Sequence, residues 1–155
     1  MIVYLSRLAC ATSLTIVFVW SWVMAAEFAT KDEAVAMVKE AVALIKELGP
    51  DNAYREMSNK NSRFHDRDLY VTVLDLDGKV LAHGQFENLI GQNLIDAKDP
   101  DGKFFIRERV ELARQQSSFW QSYKFMNPTT KKIEPKQMYC EQVNETMVCG
   151  GVYSF

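Results

Sequence analysis

Trp120, Tyr123, Phe125, Lys136 and Tyr139 fall on two neighbouring stretches near the C-terminus. Together they hold what a small-molecule site needs: apolar and aromatic walls with a few polar groups to set orientation. Lys136 is the one cation in that aromatic setting. An ammonium held near tyrosine hydroxyls is a natural clamp for a carboxylate. The competing reading makes Trp120 and Tyr123 core residues and Lys136 a solvated surface lysine.

Other chemistries find less support. His65 and His83 have no Asp or Glu at helical ligand spacing, so no metal site is expected. Asp75-Leu76-Asp77-Gly78 and Asp99-Pro100-Asp101-Gly102 open like calcium loops, which require Gly at position six and a carboxylate at position twelve. Those positions hold Val80 and Phe86 in the first case and Phe104 and Val110 in the second, so both are read as tight turns. The sequence contains no Gly-x-Ser-x-Gly elbow and no glycine-rich phosphate loop, and no enzyme or cofactor is expected.

The first 26 residues differ from the rest. Arg7 precedes an almost wholly apolar run from Leu8 to Val23, and Ala25-Ala26 offers small residues at a junction with polar sequence. This is the pattern of a cleaved signal peptide, residues 1–26, ahead of one domain, 27–155. The alternative is a leader retained as a single anchor helix. No second apolar run of that length follows Glu27, so a receptor that crosses the membrane twice is not expected. Without the leader the net charge is −3 with acids and bases intermixed, which disfavours nucleic acid as a partner.

Of three cysteines, Cys10 lies in the leader, leaving Cys140 and Cys149 as a pair for an oxidising compartment. Met138 to Val143 and Thr146 to Tyr153 read as strands joined at Asn144-Glu145. In a two-residue hairpin Val143 then faces Thr146, and Cys140 faces Cys149 at a non-hydrogen-bonded position, where Cα atoms approach to about 4.5 Å. A disulfide tolerates that separation. A soft-metal site from Met138, Cys140, Met147 and Cys149 is the weaker alternative.

The elements that must carry these groups follow from periodicity. Thr30-Lys31-Asp32-Glu33 is a capping box. It opens a long helix whose apolar stripe runs from Ala34 to Leu48 and stops at Gly49-Pro50. Asp51 to Ser58 suits a further short helix. Leu69 to Leu74 and Lys79 to His83 are strands about the Asp75–Gly78 turn, and Asn88 to Asp96 is a loop or short helix. A helix over Phe104 to Gln115 precedes three strands: Trp120 to Phe125, Glu134 to Val143 and Thr146 to Ser154. Short links between them imply an α+β fold, an antiparallel sheet of about five strands with helices on one side.

At these spacings the chain resembles a family. Leu69-Tyr70-Val71-Thr72-Val73-Leu74-Asp75 with Asp77-Gly78, His83, Gly91-Gln92-Asn93-Leu94 and Asp99-Pro100-Asp101-Gly102-Lys103-Phe104-Phe105 form the first half of the match. Tyr123 to Pro128, Lys131 to Lys136, Tyr139-Cys140 and Gly150-Gly151-Val152-Tyr153 form the second. The ordered set is similar to a single Cache domain of the second type, a PAS-like extracytoplasmic sensor domain, and covers residues 30 to 155. The resemblance implies a pocket between the sheet and its covering loops that takes a small molecule, often a small organic acid, with His83 and Phe105 joining the candidate ligand contacts. Relatives sit in chemoreceptors and sensor kinases, so output is expected to pass through a membrane sensor partner or a homodimer. Ser118-Phe119-Trp120 stands where the family usually has a glycine, which adds aromatic bulk near the pocket. The expected role is a periplasmic or secreted sensor for a small organic anion such as a short carboxylate. The alternative is a structural or dimerisation module that keeps the fold without a functional pocket.

Overall fold

The computed structural model describes residues 27–153; the leader, and the end of the last strand at Ser154, lie outside them. Helix α1 spans Lys31–Leu48 and begins with the expected capping box: the Thr30 hydroxyl accepts from the Glu33 amide, and the Glu33 carboxylate accepts from the Thr30 amide. Gly49 follows at φ 76°, the left-handed region that glycine enters without a Cβ penalty. Pro50 then serves as the first residue of α2, Pro50–Met57, where its missing N–H costs nothing.

The strands are β1 (His65–Asp66), β2 (Leu69–Asp75), β3 (Val80–His83), β4 (Ser118–Met126), β5 (Ile133–Val143) and β6 (Thr146–Tyr153). All pairings are antiparallel, in the order β3-β2-β6-β5-β4, with the two-residue β1 added beside the start of β2. The five long strands are those the sequence indicates. A 3-10 turn at Glu87–Leu89 and helix α3, Phe105–Gln115, complete the elements.

One expectation is corrected. Helices cover both faces of the sheet, not one. Val71, Val73, Val143 and Val148 point to α1 and α2, packing with Val38, Ala41, Ile45, Ala53 and Met57. The alternate residues Leu74, Phe119, Tyr123, Met138, Cys140, Met147 and Cys149 point the other way, to Phe105, Ile106, Val110 and Ala113 of α3. Because the central strands are buried on both sides, β2 is apolar almost throughout, and alternation cannot reveal the second layer.

The hairpin register is as expected. Val143 faces Thr146, Cys140 faces Cys149, and these cysteines form a disulfide with Cα atoms 4.1 Å apart. Asn144 takes φ 54° in the turn. The two Asp-x-Asp-Gly segments are tight turns closed by their own first carboxylate: Asp75 Oδ1 accepts from the amides of Asp77 and Lys79, and Asp99 Oδ1 from those of Asp101 and Lys103. Asp99 Oδ2 accepts from the Lys124 amide as well, which fastens the loop before α3 to β4.

Candidate functional site

The site is built on the α3 side of the sheet. Antiparallel pairing sets Tyr123 of β4 opposite Lys136 of β5, and Lys136 opposite Tyr153 of β6. The Lys136 side chain runs over Gly151, where a Cβ would stand 2.8 Å from Lys136 Cε and 2.8 Å from the Gln137 carbonyl. Its ammonium lies 3.8 Å from the Tyr70 ring centroid and donates to the Tyr153 hydroxyl at 3.3 Å. Lys136 is fully buried. Burial, and secondarily the Arg109 charge, push its pKa well below the ordinary ammonium range. Asp68 opposes this, but its two oxygens already accept from the amides of Ala29 and Tyr153.

Arg109 comes from the middle of α3 and is only 2% exposed. Its Nε donates to Gln121 Oε1 at 2.9 Å, and Gln121 Nε2 donates to the Phe105 carbonyl at 2.7 Å, so β4 sets the guanidinium direction. Nη2 is buried with no hydrogen-bond partner among the described residues. The guanidinium lies 5.2 Å from the Tyr123 ring centroid. His83 closes another side, stacked on Tyr70 at 5.0 Å. Its Nδ1 accepts from the amides of Gln85 and Phe86, which assigns the imidazole proton to Nε2. Burial, then the charges of Lys136 and Arg109, hold its pKa down to about 3, so His83 is neutral at physiological pH.

These groups surround a hollow of about 20 Å³ lined by Tyr70, Thr72, His83, Arg109, Tyr123 and apolar neighbours, with no Asp or Glu in its wall. Beyond it lies a wider cleft of about 550 Å³ between the 86–100 loop, α3 and the ends of β4 and β5.

The sequence-derived candidates divide. His83, Phe105, Tyr123 and Phe125 line the hollow; Lys136 does not, and packs instead against the ring of Tyr70, which does. Trp120 and Tyr139 do not join them. They pair with each other across β4 and β5 on the opposite face, with rings 5.2 Å apart. Lys31 of α1 lies over the indole, and Trp120 is 40% exposed. The reason is the period of two: Trp120 and Tyr123, like Lys136 and Tyr139, are three residues apart and so face opposite ways. Phe119 is buried opposite Cys140 and lines neither the hollow nor the cleft. Lys136 is not a solvated lysine. Residue-type reasoning missed Arg109, although its signal is present: Phe105, Ile106, Arg109, Val110 and Ala113 form one buried stripe, and a guanidinium inside such a stripe needs an explanation.

Comparison with known proteins agrees with this architecture. The family model described as Single Cache domain 2 matches residues 29–153. The methyl-accepting chemotaxis protein McpP of Pseudomonas putida is 32% identical over 77 residues, half of this chain and 14% of that protein. The sensor histidine kinase MctS of Rhizobium johnstonii is 31% identical over 91 residues, 57% of this chain and 20% of its own length. The chain thus spans a small part of the curated relatives it matches. Among solved structures, a methyl-accepting chemotaxis protein from Vibrio parahaemolyticus superposes with a TM-score of 0.69 at 25% identity, covering 79% of this chain and 87% of that one. A Cache chemosensory domain described for carboxylic acid recognition gives 0.70 at 21% identity, over 80% and 92%, a likeness of fold. No helix among the described residues is long and apolar enough to cross a membrane. With the sheet order, the covering loops and the family match in agreement, the chain belongs to the single Cache domain 2 family of extracytoplasmic sensor domains.

Proposed function

We propose that this domain senses a small organic anion, favouring a carboxylate, which binds beside Arg109 and Lys136 with His83, Phe105, Tyr123 and Phe125 around it. The carrying observation is the charge balance at Arg109: a buried guanidinium lines a hollow whose wall holds no acidic residue, and among the described residues one of its nitrogens has no hydrogen-bond partner. A buried charge is tolerated when it is paired, so an anionic ligand would complete the site. The Tyr123 hydroxyl and the His83 Nε2–H add neutral donors in the same wall, whereas the Tyr70 hydroxyl donates to Tyr153, whose own proton goes to the Met126 carbonyl. A solved Cache domain of the same fold is described as recognising carboxylic acids, which accords with this reading. Export by cleavage after residue 26 would put the site outside the cytoplasm, and its state would pass to a membrane sensor partner or a second copy.

The test is a thermal-shift series with acetate, propanoate, lactate, pyruvate, hexanoate and octanoate on the protein and on Arg109→Met. A ligand that binds the folded state alone raises Tm. At least one acid should do so in the parent and none in the variant; no response from any carboxylate overturns the proposal. The alternative, a dimerisation module without a working pocket, draws on the small size of the hollow. It requires a dimer by light scattering together with that lack of response.

A further inference from the structure

The hollow beside Arg109 measures about 20 Å³, while a single water needs roughly 10–15 Å³ on the same measure. It can accept one carboxylate oxygen but not the carbon skeleton of even a short acid. Leu89, Leu94, Phe105 and Phe125 line the hollow, and the same four side chains line the neighbouring cleft of about 550 Å³. The cleft thus adjoins the hollow and offers a space into which a ligand could continue. Its volume falls in the range of established small-molecule sites.

The cleft is mostly apolar, and its charged groups are already engaged. Asp99 accepts amides with both oxygens, Lys124 pairs with Asp101 at 2.8 Å, and Lys98 lies 4.4 Å from the Phe104 ring centroid. At the mouth Ile133 and Met126 are 56% and 45% exposed, apolar surface that an occupant would cover. An anionic head belongs at the unpaired Arg109 nitrogen, and what extends from it meets hydrocarbon.

We infer that the ligand is a monocarboxylate with an apolar tail of several carbons, its head at Arg109 and its tail between the 86–100 loop and the ends of β4 and β5. This rests on the anion reading of the hollow and specifies the ligand class. Titration calorimetry of the purified protein with acetate, propanoate, hexanoate, octanoate and octanol tests it. Affinity should rise about fourfold with each methylene that enters the cleft. Octanol should bind far more weakly than octanoate, and Ile133→Asn, a change at an exposed position, should flatten the dependence on chain length. Acetate and propanoate binding as tightly as octanoate, or an Ile133→Asn slope equal to the parent's, overturns the tail assignment and leaves the anion reading standing. Octanol matching octanoate, or no acid binding at all, overturns both.

Discussion

The His83 imidazole sits between the Tyr70 and Phe86 rings, 5.0 and 5.4 Å from them, and is 4% exposed. Its folded-state pKa is about 3, against 6.5 for an unperturbed histidine. The folded form therefore resists a proton that the unfolded chain accepts. Stability from this group is complete above about pH 6.5 and falls as pH drops toward 3. At pH 4.5 the unfolded chain carries the proton and the folded protein does not. Two pH units at about 1.4 kcal/mol each give a loss of about 2.8 kcal/mol relative to neutral pH. His83→Asn removes the titration while its Oδ1 can still accept from the Gln85 and Phe86 amides. Urea unfolding of both proteins at pH 7 and pH 4.5 measures the effect. The stability gap between parent and variant should move by about 2–3 kcal/mol against the parent on acidification. An unchanged gap would mean that His83 protonates freely in the fold, and the account of a dry, cation-rich site would fail.

Arg109→Met replaces a buried cation with a side chain of similar length, and unfolding free energy should change by no more than about 1 kcal/mol because lost desolvation offsets the lost Gln121 contact. A variant that cannot fold would refute the view that the guanidinium is held without a counter-charge. Gly151→Ala puts a Cβ 2.8 Å from Lys136 Cε and 2.9 Å from Met138 Sδ, so chemical denaturation should report a loss of about 1–3 kcal/mol. Removing the Cys140–Cys149 bridge by double substitution to Ala opens a loop with a sequence separation of 9, for which chain entropy gives about 2.7 kcal/mol, measurable as a lower urea midpoint. Thr30→Ala breaks the capping box at the head of α1 and should cost about 1 kcal/mol by the same assay.

What the sequence determined by itself is local. The capping box, the Gly49-Pro50 break, the Asx-closed turns and the Cys140–Cys149 register each depend on residues within about ten positions, where the chain's own geometry leaves few choices. The five long strands were legible for the same reason. The tertiary structure decided which faces were used and what was enclosed. The alternation that separates Trp120 from Tyr123 is written in the sequence, but which face closes over a hollow depends on where α1, α2 and α3 pack, and strands buried on both sides hide that. Arg109 lies on a helix between Asp101 and Ser118, and only packing against β4 turns it inward, where Gln121 holds it. The charge balance of the site is likewise non-local: Arg109, Lys136 and His83 come from three separate elements, and their burial together is a property of the assembled sheet.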